Sequence, residues 1–223
     1  MITDKPKYEF PDSQSLRTHA RLFTRFVSAR IIVAFFAATL ALRLTMGHWR
    51  WLNLLGPAII LVLEPFTEWT IHVFLLHFRP RPILGKLRDP YVARKHREHH
   101  QNVRDVKLVL LPTRVPLIAL PIACALTALV GGRDYPGAVG TLAFGFLMLL
   151  TYEWTHFLIH SKYRPRRWYY RVIWRNHRNH HFRNENYWMG VTTDIGDRLL
   201  RTAPAKDAVP LSPTAKNLAA AWE

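Results

Sequence analysis

The sequence predicts an all-α integral-membrane protein: four transmembrane helices plus a cytosolic His-rich helical cap. Three observations predict it. Four apolar segments each approach or exceed the ~17 residues needed to cross a bilayer. Cations crowd into the stretches between them, giving a net charge of +16 in a chain that is 49% hydrophobic. Ten of the twelve histidines fall in four short clusters.

The first span, 31–46, reads IIVAFFAATLALRLTM. Arg43 interrupts it and is tolerated if its guanidinium snorkels to the interface. The second span covers 52–78 and the third 108–130, with Arg114, Pro112, Pro116 and Pro121 in the third. The fourth covers 137–160. Residues 1–30 carry six Lys/Arg, 79–107 carry nine and 161–223 carry twelve, whereas the turns 47–51 and 131–136 carry one each. The positive-inside rule then puts both termini and all three basic stretches in the cytoplasm. A nucleic-acid module would carry its basic patch on a soluble fold. Here the charge flanks apolar spans, so the expected partner is the bilayer, not nucleic acid.

Three regions are expected. Residues 1–30 form an N-terminal cytosolic segment whose polar, acid-containing start is unlike a cleavable signal peptide. Residues 31–202 form the membrane-embedded domain. Residues 203–223, rich in Pro, Ala and Ser, are expected to be a mobile C-terminal tail. The single cysteine, Cys124, lies in an apolar run and belongs to no metal motif.

The chain also repeats itself. EWTIHVFLLH at 68–77 is echoed by EWTHFLIH at 153–160, and HREHH at 96–100 by HRNHH at 177–181, an offset of 81 to 85 residues. Each half reads as a membrane hairpin followed by a His-rich helix. The clusters are His72 with His77, then His96, His99 and His100, then His156 with His160, then His177, His180 and His181. Positions i, i+3 and i+4 share a helix face, so each HxxHH aims three imidazoles one way. His156 and His160 are one turn apart. His72 and His77, five residues apart, diverge by about 140° on an ideal helix. They converge only if the helix is distorted or one side chain reaches sideways.

Neutral imidazoles suit Zn, Cu, Fe and Ni. Ten exceed one ion's coordination number and suit two ions with about five nitrogens each. Glu68 and Glu153 each share a helix face with a ligand. They are the expected outer partners, accepting an imidazole N–H and fixing its tautomer. His19 and His48 lie outside the clusters and receive no role.

These residues resemble the fatty acid hydroxylase/sterol desaturase superfamily, most closely its fatty acid 2-hydroxylase branch. The family's HxxxxH, HxxHH, HxxxH and HxxHH occur here in order, at the ten positions named. HHQNVRDVKLVLLP (99–112) is similar to the family's segment after its first HxxHH, with Val103 as a departure, and HHFRNENYWMGVTTDIGDRLLRT (180–202) is similar to its C-terminal signature, with Asp194 and Arg201 as departures. The resemblance implies two iron ions, with zinc able to occupy the same sites in purified samples, and O2 as co-substrate. It implies a di-iron lipid monooxygenase inserting oxygen into an unactivated C–H bond of a fatty-acyl lipid. Electrons would come from a separate donor of ferredoxin or cytochrome b5 type, since the chain has no flavin or haem motif. Arg94, Lys95, Arg164, Arg166 and Arg167 would meet a lipid headgroup or an acidic donor, or simply report orientation. Two alternatives stay open: a sterol, carotenoid or other polycyclic-lipid hydroxylase or desaturase, and a non-catalytic metal-binding membrane protein. A metal carrier would place ligands along a path through the membrane midplane, whereas these clusters fall in one predicted layer on the cytoplasmic side.

Overall fold

The computed structural model describes residues 9–216 and Leu218. In chain order its main elements are α1 (Leu16–Phe23), α2 (Val27–Thr45), α3 (Leu55–Thr70), a π-helical segment Ile71–Leu76, strands β1 (Arg81–Ile83) and β2 (Lys86–Arg88), α4 (Tyr91–Gln101), α5 (Val106–Val109), α6 (Arg114–Val130), α7 (Tyr135–His160), α8 (Trp168–Phe182) and α9 (Ile195–Leu199). Four helical stretches are long and apolar enough to cross a membrane: Val27–Thr45, Trp51–Leu76, Val106–Val130 and Tyr135–His160. These match the four expected spans to within a few residues. The described residues fall into two compact units, one of Ala20–Glu64 with Leu110–Trp154, the other of Pro65–Val109 with Thr155 onward and the residues up to His19.

The first of these units is apolar. Ile32, Leu120 and Phe146 form its buried centre, with Phe35, Phe36 and Leu149 packed around them. Phe35 meets Phe146 edge-on, with ring centroids 5.8 Å apart. Its outer surface is apolar too: Leu61, Val62 and Leu63 are consecutive and all exposed, as are Leu117, Ile118 and Ile122. A helix in water hides such residues on one face; a helix in lipid has no need to.

Arg43 is buried and reaches toward the end of its span. Its guanidinium donates to the Gly47 carbonyl at 2.8 Å and to Asn53 Oδ1 at 3.1 Å, and lies 3.7 Å from the centre of the Trp49 ring. Asn53 passes the contact on by donating to Asp134. The third span is interrupted between α5 and α6 at 110–113, around Pro112. Glu153 Oε2 accepts the Leu111 N–H freed there at 2.9 Å. Non-helical backbone inside a membrane protein persists only where such a partner exists.

The second unit is polar at its heart. It contains α4 and α8, which carry the two HxxHH clusters, and the β1–β2 hairpin, an addition to the all-α expectation. Pro80 and Pro82 disfavour helix there. Leu84 (φ 51°) and Gly85 (φ 71°) make the tight turn of two left-handed residues that suits a two-residue hairpin.

Residues 203–216, expected to form part of a mobile tail, make contacts within the second unit. Val209 and Ala215 are only 3% and 2% exposed. Arg183 Nε donates to the Val209 carbonyl at 2.8 Å, and the Ser212 N–H donates to the Arg183 carbonyl at 2.7 Å. Isolated apolar residues in a polar stretch carry no periodic signal, yet here they seat the strand of chain and its carbonyls take side-chain donors. The remainder of that tail, 217 and 219–223, and residues 1–8 of the expected N-terminal segment lie outside the described residues.

Candidate metal centre

All ten clustered histidines converge in the second unit, and they sort into two groups of five. His72, His77, His96, His100 and His180 form the first group; His99, His156, His160, His177 and His181 form the second. Within each group the five ligand nitrogens all lie within 4.8 Å of one another. His19 and His48 join neither. His19 is buried, with its Nε2 2.9 Å from the Ser13 carbonyl.

Helix geometry explains the sorting. At about 100° per residue, i+4 lies about 40° from i, whereas i+3 lies about 60° to the other side. So in α4 His96 and His100 face the first group while His99 turns to the second. In α8 His177 and His181 face the second while His180 turns to the first. Each HxxHH therefore lends its middle histidine to the other half's group.

The His72–His77 spacing is met by distortion. The backbone is π-helical over Ile71–Leu76, and the His77 N–H donates to the His72 carbonyl at 3.0 Å. In a π-helix the residue five positions on closes the hydrogen bond, so positions i and i+5 stack. The two rings end 5.0 Å apart, centroid to centroid.

The protonation pattern tests whether a cation fits. In the first group, Nδ1 of His72 lies 2.5 Å from the Met189 carbonyl, Nδ1 of His100 lies 3.0 Å from that of Ala215, and Nδ1 of His180 lies 2.8 Å from that of Tyr187. A carbonyl only accepts, so in each neutral ring the proton sits on Nδ1 and Nε2 is a bare lone pair. Yet Nε2 of His100 faces Nε2 of His180 at 3.3 Å. Two lone pairs at that distance repel unless a cation is shared between them. In the second group the ring nitrogens crowd as closely: Nε2 of His160 lies 3.2 Å from that of His99 and 3.1 Å from that of His177, and the His177 and His181 Nε2 atoms are 3.0 Å apart. Burial, reinforced by neighbouring imidazoles, holds His77, His96, His99, His177, His180 and His181 well below the usual imidazole range. Burial also brings His100 down to about 3. The rings outside the spans are thus neutral at physiological pH, the form that binds metal. Donor number and burial in both groups, and lone-pair direction in the first, fit two cations.

The two glutamates hold backbone loops. Glu68 accepts the Val191 N–H, the Thr192 N–H at 3.0 Å and the Thr192 hydroxyl at 2.5 Å. It thereby fixes the chain two residues beyond Met189, whose carbonyl takes the His72 proton. Glu153 accepts the Leu111 N–H, two residues beyond Val109, whose carbonyl lies 2.9 Å from His156 Nδ1. Each glutamate thus acts on its histidine through a backbone loop, and the repeat preserves this arrangement in both halves. In both halves a loop carbonyl lies at the imidazole Nδ1 and the glutamate holds that loop.

The loop at 187–191 was only partly readable in advance. Asp197 accepts the Met189 N–H at 2.9 Å and the Gly190 N–H at 2.7 Å. A Cβ on Gly190 would sit 2.0 Å from the Thr193 carbonyl oxygen, so only glycine fits there. Trp188 adopts φ 57° between the two ligand-holding carbonyls of Tyr187 and Met189, a left-handed conformation of the kind found at functional sites. Ala215, the partner of His100, gave no signal at all in the sequence.

Beside the first group lies a cavity of about 280 Å3, walled by Trp69, Val73 and Met189 and reached by His77, Arg79 and Glu185.

With this geometry in hand, comparison with known proteins is decisive. The pattern of the fatty acid hydroxylase family matches residues 57–202, which include every histidine of both groups. The chain belongs to the fatty acid hydroxylase family. Among its relatives are two dihydroceramide fatty acyl 2-hydroxylases of Arabidopsis thaliana. One is 27% identical over 137 residues, 61% of this chain and 55% of the relative. The other is 26% identical over 144 residues, 64% of this chain and 58% of the relative. The chain thus spans little more than half the length of these curated relatives. The fold is shared with the solved structure of full-length scs7p, in which only the hydroxylase domain is visible. The TM-score is 0.58 at 22% identity, covering 82% of this chain and 66% of that one. Family membership and four apolar spans make this fatty acid hydroxylase relative an integral membrane protein.

Proposed function

We propose that the protein is a membrane non-haem di-iron oxygenase that hydroxylates a C–H bond of a fatty-acyl lipid, using O2 and electrons from a separate donor protein. The observation that carries this reading is the pair of five-imidazole groups, with ring nitrogens facing one another at 3.0 to 3.3 Å. Two iron ions held there would supply the reduction of O2 and the insertion of oxygen into carbon. The protein's own share is geometric: the carbonyls of Met189, Ala215, Tyr187 and Val109 keep their imidazoles in the metal-binding tautomer. Burial keeps competing protons and water from the nitrogens.

The named relatives act on the fatty acyl group of dihydroceramide, which favours an acyl chain over a polycyclic lipid as the substrate. The charge pattern supports cytoplasmic termini and a cytoplasmic metal site, within reach of a ferredoxin- or cytochrome b5-type donor. Zinc would occupy the same imidazoles in preparations short of iron.

The test is reconstitution. Protein purified with iron should carry close to two metals per chain and convert a fatty-acyl lipid to a product heavier by one oxygen, labelled from 18O2. Full activity in metal-free protein, or product formation only from sterols, would contradict the proposal.

A further inference from the structure

We propose that the β1–β2 hairpin seats itself in the headgroup layer of the bilayer and binds anionic phospholipid there. The inference needs only that the chain spans a membrane, whatever reaction it performs. All six strand residues, Arg81–Ile83 and Lys86–Arg88, are exposed, so the described residues cover neither face of the hairpin. A two-stranded hairpin with no packed face is marginal in water, and a supporting surface removes that difficulty. Leu84 and Leu87 are 91% and 72% exposed. Leu84 occupies a left-handed turn position where Gly, Asn or Asp is usual, so the turn itself gives no reason for a leucine.

The pairing register sorts the side chains. Arg81 lies opposite Arg88, Pro82 opposite Leu87 and Ile83 opposite Lys86. Strand alternation then puts Pro82 and Leu87 on one face, and Arg81, Ile83, Lys86 and Arg88 on the other. Like charges directly opposite, as in Arg81 with Arg88, destabilise a hairpin, and an anion between them reverses the effect. The stretch 78–88 contains no acid to supply it. Both oxygens of the next acid, Asp89, are held by Arg97 at 2.7 Å. Position decides which anion is at hand. Phe74 and Leu75, at the end of the second span, are exposed. Arg81 follows Leu75 by six residues, a reach of at most about 21 Å, so the hairpin is tethered at the bilayer surface. There the cations meet lipid phosphates and the leucines meet the upper acyl chains, as in an interfacial amphipathic element. An acidic protein surface would match the cations and not the leucines.

The experiment attaches a fluorescent NBD label to the full chain at Leu84→Cys, Leu87→Cys or Ile83→Cys, each in a Cys124→Ala background. It reads quenching in nanodiscs by phosphatidylcholine that carries a doxyl group near the top of its acyl chain. With about 30% phosphatidylglycerol present, labels at 84 and 87 should be quenched about threefold more than the label at 83, which sits on the cationic face. Replacing the phosphatidylglycerol with phosphatidylcholine should lower quenching at 84 and 87 about twofold. Arg81→Gln/Lys86→Gln/Arg88→Gln, added to either label, should give that lower value even in anionic discs, with metal content unchanged. Labels at 84 and 87 are independent, so one that fails to fold leaves the other to decide. Equal quenching at all three sites, or quenching indifferent to both the anionic lipid and the triple variant, would overturn the proposal. Absence of quenching at 84 and 87 would overturn it too, and would leave the hairpin as a surface for an acidic protein.

Discussion

The first metal group takes four imidazoles from the first half of the chain and His180 from the second; the second group takes four from the second half and His99 from the first. In composition the two are mirror images, but in support they are not. Three rings of the first group give their Nδ1 protons to carbonyls of Met189, Ala215 and Tyr187, all in the C-terminal loops. In the second group His156 gives its proton to Val109, while Nδ1 of His99, His177 and His181 is buried with no hydrogen-bond partner among the described residues. One group is held by loops and the other largely by the packing of helices. An Nδ1–H donated to a carbonyl makes the imidazole a better ligand. The first group, which also borders the cavity, should therefore bind its metal more tightly.

The largest effect is expected from breaking either group at its borrowed ligand. His180→Ala and His99→Ala should each abolish turnover if, as proposed, two metals act as one unit. His180→Ala should empty the first group and His99→Ala the second, each leaving about one metal per chain by elemental analysis.

Next come the glutamates. Glu68→Ala frees the backbone that presents Met189, and Glu153→Ala frees that which presents Val109. Loss of such outer support typically costs 10–100-fold in metal affinity. Competition with a chelator should show the loss in the first group for Glu68 and in the second for Glu153. Equal weakening of both metals by either variant would show that the loops do not act separately.

Smaller again is removal of the chain from Leu211 onward, which deletes the carbonyl that serves His100. The first group should lose metal affinity about tenfold, with the second retained. The same experiment asks whether the packed segment around Ala215 serves the site or only the fold.

The smallest effect is that of pH on the metal-free protein. An unfolded chain takes up protons on histidine as the pH falls through about 6.5. The folded chain refuses them, since burial holds these imidazoles lower, His100 at about 3. Stability is therefore complete above about 6.5 and is lost progressively as the pH falls from there toward the folded values. The Tm of metal-free protein should drop between pH 7 and 5.5, and bound metal should blunt the drop. A flat profile would contradict the neutral, buried state of the rings.

The difference between the two groups also shows what a sequence carries. The ten ligands were legible because metal chemistry needs imidazoles and helices repeat every 3.6 residues. The spans were legible because lipid imposes length and polarity. Even the strain at His72–His77 was legible as a spacing that no ideal helix satisfies, and the π-helical turn at Ile71–Leu76 is its resolution. What stayed hidden depends on tertiary contact. No local pattern marks Ala215 as the partner of His100, or directs Glu68 to Val191. The Leu84–Gly85 hairpin was hidden for a different reason: its turn pairs a glycine with a leucine that rarely adopts positive φ.

Metal content of two double variants tests the central claim most directly. His96→Ala/His100→Ala removes two ligands from one group, whereas His99→Ala/His100→Ala, adjacent in sequence, removes one from each. Against close to two metals in the wild type, the account predicts about one metal per chain for the first variant and close to none for the second. Equal metal content in the two variants would mean that each HxxHH serves a single ion, and would contradict the crossed arrangement.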